Sequence, residues 1–279
     1  MTRLLLPLLL RLGCAHDPRT AKTPAPGAPT LTVMTYNVNF GLAGDATTLQ
    51  TLTGADADLV LLQETTPEWE AVVRSLVKQR WPYQTWHHSA GAGGLAVLSN
   101  RPFEVKAVLA NPGRWFPALH VVAKTALGDV QAVVVHLRPP VDDAGSFVSG
   151  FFTTGPARKA EVDTFLAALE PGLPTLVAGD LNEGTSGLAV QSLEARGLRT
   201  VLPEFHPEAK TWGWDVGSFH LSAQLDHIAY GAGLEPLDAR VVSGGRSDHQ
   251  PVVASFTREA TLTARAAPPR GGSLSVSLR

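Results

Sequence analysis

Side chains suited to metal binding or acid–base chemistry lie where short apolar segments of this 279-residue chain end. They are four carboxylates, two histidines and two amides: Glu64, Asp180, Asp226, Asp248, His136, His249, Asn37 and Asn182. Such a set suits a hard cation such as Mg²⁺, which prefers oxygen ligands, binds through one or two carboxylates and keeps several waters. Because open sheets bind ligands at strand ends and in the loops that follow, convergence of these side chains would form a metal site.

Each of these residues, taken singly, has an ordinary structural explanation. Glu64 could end a strand at the edge of solvent, and His136 could be a core histidine with satisfied hydrogen bonds. The segments at 179–182 and 248–249 could be plain turns, because Gly, Asp and Asn favour turns for steric reasons. The functional interpretation therefore depends on the whole ordered set and on the elements that position it.

Strands and helices alternate along the segment that carries these residues. Residues 31–38 alternate apolar and polar types, and residues 59–63 form a continuous apolar run, typical of a strand buried on both faces. Further strands are predicted at 95–99, 104–109, 119–125, 130–136, 175–178, 225–230, 240–242 and 251–255, and helices at 67–77, 157–169 and 188–196. Mixed strands with intervening helices predict an α/β or α+β fold.

Two of the predicted helices have an apolar stripe for the core. The first begins at Pro67, which a first helical turn tolerates, and its stripe consists of Trp69, Val72, Val73, Leu76 and Val77. The second has the stripe Val162, Phe165, Leu166 and Leu169. Both stripes predict packing against a sheet.

The N-terminus has the pattern of a secretory signal. Arg3 precedes an apolar run from Leu4 to Leu10, shorter than the ~20 residues of a membrane span, and Cys14 follows. This pattern resembles a bacterial lipoprotein signal over residues 1–14, which implies a secreted or cell-envelope protein anchored through a lipid on Cys14; Arg11 departs from that pattern. The alternatives are an ordinary secretory signal, or a misplaced start codon with a free thiol.

By composition, the remaining chain is expected to consist of a tether, a folded domain and a tail. Residues 15–30 are rich in Pro and Ala and predict an extended tether, whereas residues 258–279 predict a disordered tail. One folded domain over residues 31–257 is therefore expected. The net charge of −2 does not indicate a strongly basic face for a polyanion, and the single cysteine excludes an intramolecular disulfide.

Six segments, in order along the chain, resemble the motifs of the endonuclease/exonuclease/phosphatase (deoxyribonuclease I-like) superfamily. They are Thr35–Val38, Leu61–Glu64, Val135–Leu137, Gly179–Asn182, Leu225–Ile228 and Ser247–Pro251. The resemblance implies a four-layer sandwich, in which two mixed β-sheets pack face to face with helices outside. It also implies hydrolysis of phosphoester or phosphodiester bonds.

The resemblance implies a metal site as well. Glu64 looks like the metal-binding glutamate, and Asp248 is placed as an auxiliary metal ligand. Asn37 resembles the asparagine near the metal that helps to hold phosphate or water. The implied cofactor is Mg²⁺ or Mn²⁺.

The remaining matches carry implied catalytic roles. Asp180 and Asn182 resemble the pair that orients the attacking water and stabilises the pentacovalent phosphorus. His249 is similar to a phosphate-contacting or proton-transferring histidine, with Asp226 accepting its imidazole N–H. His136 matches the residue that contacts phosphate or protonates the leaving oxygen.

Three further residues near the motifs have no single interpretation. His227 alternates to the strand face opposite Asp226, which favours a structural role. Arg158 could brace the site or cap a solvated helix face, and Arg246 could reach phosphate or remain in solvent.

The motifs belong to shared chemistry and leave the substrate open between nucleic acid, phospholipid and inositol phosphate. A sphingomyelinase-like or inositol-phosphate phosphoesterase is one alternative, and a non-catalytic surface lipoprotein that binds a ligand is another. The long loop at 138–155 carries Phe147, Phe151 and Phe152, which could stack a base, meet a lipid surface or fold back onto the sheet. A monomer is expected.

Overall fold

The computed structural model describes residues 17–259, so the predicted signal with its Cys14 and the tail beyond 259 lie outside the described residues. The strands are β1 (Leu31–Asn37), β2 (Leu59–Gln63), β3 (Tyr83–His87), β4 (Leu95–Ser99), β5 (Phe103–Leu109), β6 (Ala118–Thr125), β7 (Gly128–His136), β8 (Thr175–Asp180), β9 (Arg199–Thr200), β10 (Trp212–Val216), β11 (Phe219–Ala223), β12 (Asp226–Tyr230), β13 (Leu234–Val241) and β14 (Val252–Arg258). The helices are α1 (Ala46–Gly54), α2 (Pro67–Leu76), α3 (Phe147–Thr153), α4 (Gly155–Leu166), α5 (Leu188–Ala195) and α6 (Leu202–Phe205).

Twelve of these strands form two mixed sheets. The first sheet has the order β13-β14-β1-β2-β4-β3 and the second has the order β5-β6-β7-β8-β12-β9. Each sheet contains one parallel pair, β1 with β2 and β7 with β8. These pairs bring strand ends side by side, because Asn37 lies in register with Gln63 and His136 with Asp180. The two parallel pairs therefore position most of the predicted site.

Apolar side chains fill three layers between the elements. Leu59 and Leu61 of β2 point into the core between the two sheets, whereas Val60 and Leu62 pack in the layer that contains Trp69 of α2. The outer face of the second sheet packs in the same way against α4 and α5. The layer order helix–sheet–sheet–helix confirms the predicted four-layer sandwich.

Helix α2 buries a narrower stripe than its sequence predicts. Thr66 caps the helix, accepting the N–H of Trp69 at 3.3 Å. Trp69, Val73 and Val77 are buried, but Val72 and Leu76 are 36% and 56% exposed, so the prediction was wrong for these two. The buried residues recur every fourth position, which leaves only one edge of the helix on the sheet. In α4, Val162, Phe165 and Leu166 of the predicted stripe are buried as expected, whereas Leu169 lies beyond the end of the helix and is only partly buried.

The segment before β1 contacts the domain. Residues 17–30 form no helix or strand. The backbone N–H groups of Arg19 and Lys22 donate to the carbonyls of Glu204 and Leu237 at 2.7 and 2.8 Å. The Lys22 ammonium also lies 2.9 Å from Glu235. Within the described chain, none of the helices has the length and apolarity needed to span a bilayer.

The long connection at 138–155 contains a helix that the sequence pattern did not predict. Ser146 caps α3, and Thr154 joins α3 directly to α4. Phe151 and Phe152 are 53% and 80% exposed. For these two residues, the interpretation that they fold back onto the sheet is therefore wrong.

Candidate active site

Asn37 lies between the carboxylates of Glu64 and Asp180. Its Nδ2 donates to Oε1 of Glu64 at 3.0 Å and to Oδ2 of Asp180 at 3.2 Å, while its Oδ1 accepts the N–H of Asn39 at 3.1 Å. Oε2 of Glu64 accepts the N–H of Phe40 at 3.2 Å. Two carboxylates this close repel each other, so the cluster favours a cation beside the bridging amide.

The backbone is strained at this cluster. Among the described residues, four non-glycine residues have positive φ, and three of them, Asn39, Glu64 and Asn182, lie here with φ of 60°, 60° and 52°. Such conformations cost about 1–3 kcal/mol each and persist where surrounding structure imposes them. At Gly179, where φ is 151°, an added Cβ would overlap the carbonyl oxygen of Val135. Glycine thus lets β8 approach β7 immediately before Asp180.

His249 and Asp226 form a buried pair beside Asp180. Nδ1 of His249 lies 2.8 Å from Oδ2 of Asp226, and its Nε2 lies 3.5 Å from Oδ2 of Asp180. Burial raises the pKa of Asp226, and His249 counteracts that rise. Burial by itself would lower the pKa of His249, but the charges of Asp226 and Asp180 outweigh it and raise that pKa well above its ordinary value. At neutral pH His249 therefore carries the proton and Asp226 the negative charge.

His136 presents one ring nitrogen to the carboxylates. Nδ1 lies 3.0 Å from the carbonyl oxygen of Ala92, to which it donates. Nε2 then faces Asp180 Oδ2 at 3.5 Å and Glu64 Oε1 at 4.0 Å. The ring packs against Phe116 with centroids 4.5 Å apart. The Ala92 carbonyl fixes the orientation of the imidazole, so Nε2 is the atom available for chemistry.

Hydrogen bonds hold Asn182 and Asp248 in place at the cleft. The N–H of Asn182 donates to Asp180 Oδ1 at 2.8 Å, and its Nδ2 donates to the Leu137 carbonyl at 2.9 Å. Asp248 accepts at both oxygens, from Asn39 Nδ2 and from Trp212 Nε1, each at 3.1 Å. A metal ligated by Asp248 would share its oxygens with these donors.

The other residues considered from sequence occupy different places. The His227 side chain is buried opposite Asp226, with Nε2 2.9 Å from the Glu183 carbonyl, which suits a structural role. Arg246 is 72% exposed at its side chain and lies 3.8 Å from Asp45. It is not among the residues that line the cleft.

Arg158 is buried and paired with a residue that the sequence interpretation missed. Its Nε donates to Glu183 Oε2 at 3.0 Å, and its Nη1 donates to Thr154 Oγ1 at 2.7 Å. Glu183 also accepts the N–H of Ala189 at the start of α5. Because Glu183 follows Asn182 directly, the pair braces the loop that carries Asp180 and Asn182.

Replacing Arg158 with leucine is expected to lower the free energy of unfolding by about 3–5 kcal/mol, because it leaves the buried Glu183 carboxylate unpaired. Urea denaturation, monitored by circular dichroism, measures this change in the free energy of unfolding. The control is Lys159→Met on the same helix, because Lys159 pairs with Asp163 on the surface and such pairs contribute about 0–1 kcal/mol. Equal, small losses in both variants would contradict a bracing role for Arg158.

One cleft of about 310 Å³ collects most of the predicted residues. It is lined by Glu64, His136, Asp180, Asn182, Asp248 and His249. Asn37 and Asp226 are fully buried behind these residues. Sequence reasoning missed the apolar walls, which include Ala92, Phe116, Pro139, Pro140, Trp212, Trp214 and Leu225. The alternation Trp212-Gly213-Trp214 was a strand signal that could have found part of that wall.

Several solved structures have the same fold. An endonuclease/exonuclease/phosphatase from Beutenbergia cavernae is 20% identical, with a TM-score of 0.62, and the match covers 82% of this chain and 72% of that one. The human Nocturnin catalytic domain with bound sulfate is 18% identical, with a TM-score of 0.61 and coverage of 83% and 96%. A 3'-5' exonuclease from Neisseria meningitidis is 19% identical, with a TM-score of 0.60 and coverage of 81% and 100%.

At these identities the structural matches show the fold alone. No curated protein sequence matches the chain at a significant level. The family model described as Endonuclease/Exonuclease/phosphatase family matches residues 34–249, which begin in β1 and end at His249. The chain therefore belongs to the endonuclease/exonuclease/phosphatase family.

Proposed function

We propose that the protein is a divalent-metal-dependent hydrolase of phosphoester bonds. The observation that carries the proposal is the single cleft in which Glu64 and Asp180 lie beside the His249–Asp226 pair. Phosphoryl transfer needs charge neutralisation and in-line positioning more than covalent chemistry. The protonated histidine, together with a cation held by the carboxylate cluster, would neutralise charge. The same side chains would position the phosphate and the water.

The carboxylates of Glu64 and Asp180 fit a hard cation. Three carboxylates, those of Glu64, Asp180 and Asp226, lie around one imidazolium, His249, and the neutral Asn37 amide, so net negative charge is left for a cation to balance. Asp180, Asp226 and His249 also lie close enough together to hold an ion. We favour Glu64 as the ligand, because Asp226 is fully buried and already bonded to the His249 imidazole, and Asp180 is assigned to the attacking water. When bound, Mg²⁺ or Mn²⁺ would polarise the phosphoryl group and stabilise the negative charge that develops on it.

The protein side chains have separate roles in the proposed hydrolysis. Asp180 Oδ2 is placed to orient the attacking water and accept its proton, and the N–H of Asn182 holds the other oxygen of that carboxylate. The His249 imidazolium, kept charged and oriented by Asp226, stabilises negative phosphate oxygens through its Nε2–H. Nε2 of His136 contacts phosphate or supplies a proton to the leaving oxygen.

Turnover of bis-p-nitrophenyl phosphate in Mg²⁺ tests this proposal. We expect release of p-nitrophenolate by the wild type and a loss of about 10²–10⁴-fold in Asp180→Asn, which keeps the shape of the side chain but removes the base. A panel of single- and double-stranded DNA, RNA, sphingomyelin, inositol phosphates and simple monoesters then identifies the substrate. A folded protein inactive on the whole panel would instead indicate a non-catalytic binding module.

Anchoring to a membrane through a lipid on Cys14 stays a prediction, because Cys14 lies outside the described residues. A monomeric state is likewise a prediction. The sites proposed above require neither of them.

A further inference from the structure

The hairpin of β10 and β11 has one apolar face. Three cross-strand pairs form it: Trp212 with Ala223, Trp214 with Leu221, and Val216 with Phe219. Directly paired residues of antiparallel strands project to the same side, and residues two apart along a strand share that side. The other face carries Gly213, Asp215, His220 and Ser222. The hairpin is therefore an amphipathic ribbon.

The apolar face is exposed and continues into the catalytic cleft. Phe219 and Leu221 are 74% and 41% exposed. Trp212 lines both the cleft and an adjoining volume of about 350 Å³, which we call the apolar groove. Phe151 and Phe152 of α3 line the same groove. The groove is lined by Pro140, Phe151, Phe152, Asn182, Trp212, Leu221, Ser222, Ala223 and Leu225.

The charge of the two surfaces disfavours a nucleic acid strand as the occupant. Among the described residues, no Lys or Arg lines either the cleft or the apolar groove. Proteins that follow a nucleic acid backbone hold its successive phosphates with Lys and Arg, which supply most of the affinity. The charge of the site thus suits a substrate with one phosphate.

The lining of the apolar groove indicates what accompanies that phosphate. Of the nine described residues that line it, seven have apolar or aromatic side chains, and the hairpin contributes Trp212, Leu221, Ser222 and Ala223. Such a lining offers few hydrogen-bond partners to the edge of a base or to a sugar hydroxyl, whereas it can bury a hydrocarbon chain.

We propose that the apolar groove binds a hydrocarbon chain attached to the phosphate that the catalytic cleft holds. The substrate class is then a phosphoester with one phosphate and an alkyl or acyl chain. This inference rests on the proposed function, because that function places the phosphate in the cleft. Phe151 lines the groove from α3 and Leu221 lines it from β11, so these two elements form separate walls that determine specificity for the chain.

Isothermal titration with n-alkylphosphonates of two to ten carbons, in Mg²⁺ and below their micellar concentrations, tests this assignment without turnover. The Kd is expected to fall with each added methylene, approaching fourfold per CH₂, which corresponds to about 0.8 kcal/mol for complete burial. A Kd that is independent of chain length would overturn the proposal, as would tighter binding of thymidine monophosphate than of octylphosphonate.

The double variant Phe151→Ser/Leu221→Ser removes one apolar side chain from each wall. It is expected to weaken decylphosphonate binding at least tenfold and to leave ethylphosphonate binding unchanged. The control is Val105→Ser, since Val105 is 44% exposed on β5 and lies outside the groove; its chain-length dependence should match the wild type. If the Kd of the double variant depends on chain length as the wild-type Kd does, the proposal is contradicted. Chain-dependent binding by a protein without hydrolytic activity would support the groove and contradict the proposed function.

Discussion

His249→Asn is expected to lower kcat by about 10²–10³-fold, the usual effect of removing a donor that stabilises developing negative charge, with the fold intact. Asparagine can still donate to Asp226 from a position near Nδ1, so the buried carboxylate keeps its partner, whereas alanine would leave it unpaired. The protonated Nε2 is lost, and with it the positive charge next to Asp180. Steady-state kinetics on bis-p-nitrophenyl phosphate, together with urea denaturation, measure both consequences.

Asp226→Asn tests whether Asp226 acts through the imidazole. Its kcat should fall less than that of His249→Asn, and the double variant should lose little beyond His249→Asn alone, because groups that act as a unit are non-additive. The charge of Asp226 raises the pKa of His249, so in Asp226→Asn that pKa falls. Activity that needs the imidazolium is present below this pKa and lost above it, so the alkaline limb of the pH profile should move to lower pH. A folded His249→Asn protein with wild-type turnover would rule out this mechanism.

Removal of divalent metal with EDTA is expected to abolish turnover, and Mg²⁺ or Mn²⁺ should restore it. The side chains lining the described cleft include no Lys or Arg to replace the charge of the metal. Glu64→Gln should weaken apparent Mg²⁺ affinity by at least about 10–100-fold, the loss known for substitutions of groups that merely support a ligand. Titration of activity with Mg²⁺ after EDTA treatment gives the apparent affinity for each variant.

Glu68→Gln is the matched control for Glu64→Gln. Glu68 lies on the exposed face of the first turn of α2 and outside the cleft. Its Mg²⁺ dependence should therefore equal that of the wild type, and excess Mg²⁺ should partly restore the rate of Glu64→Gln. Undiminished activity in EDTA would show that the carboxylate cluster does not work through a metal.

Sequence alone predicted the central elements because their patterns are strong. The apolar run of β2 predicted a strand buried on both faces, and the structure shows this strand between β1 and β4 with apolar contacts on each face. Elements at the periphery were missed for different physical reasons. Helix α3 contains Gly150 and β-branched residues of low helix propensity, so its local signal is weak. Strand β10 alternates, but it contains Gly213 and Asp215, residue types that are depleted in strands.

The sequence predicted which residues form the candidate site, but not which of their side chains are hydrogen-bonded to each other. The ordered motifs predicted that Glu64, Asp180 and His249 belong to one site, and the structure places all three in one cleft. No local pattern indicates that Arg158 reaches Glu183, since 25 residues separate them and the pair forms only when α4 packs on the sheet. One of the two hydrogen bonds to Asp248 likewise depends on Trp212, which belongs to the hairpin that the patterns missed.

At Glu64 and Asn182 the left-handed backbone lowers stability, whereas the side chains of the same two residues belong to the cleft. Glycine at either position would relieve strain of about 1–3 kcal/mol, while deleting a carboxylate or an amide from the cleft. Selection for heat resistance alone would therefore favour inactive chains at these two positions. At these two positions, stability gained by relieving the backbone would therefore remove a side chain from the cleft.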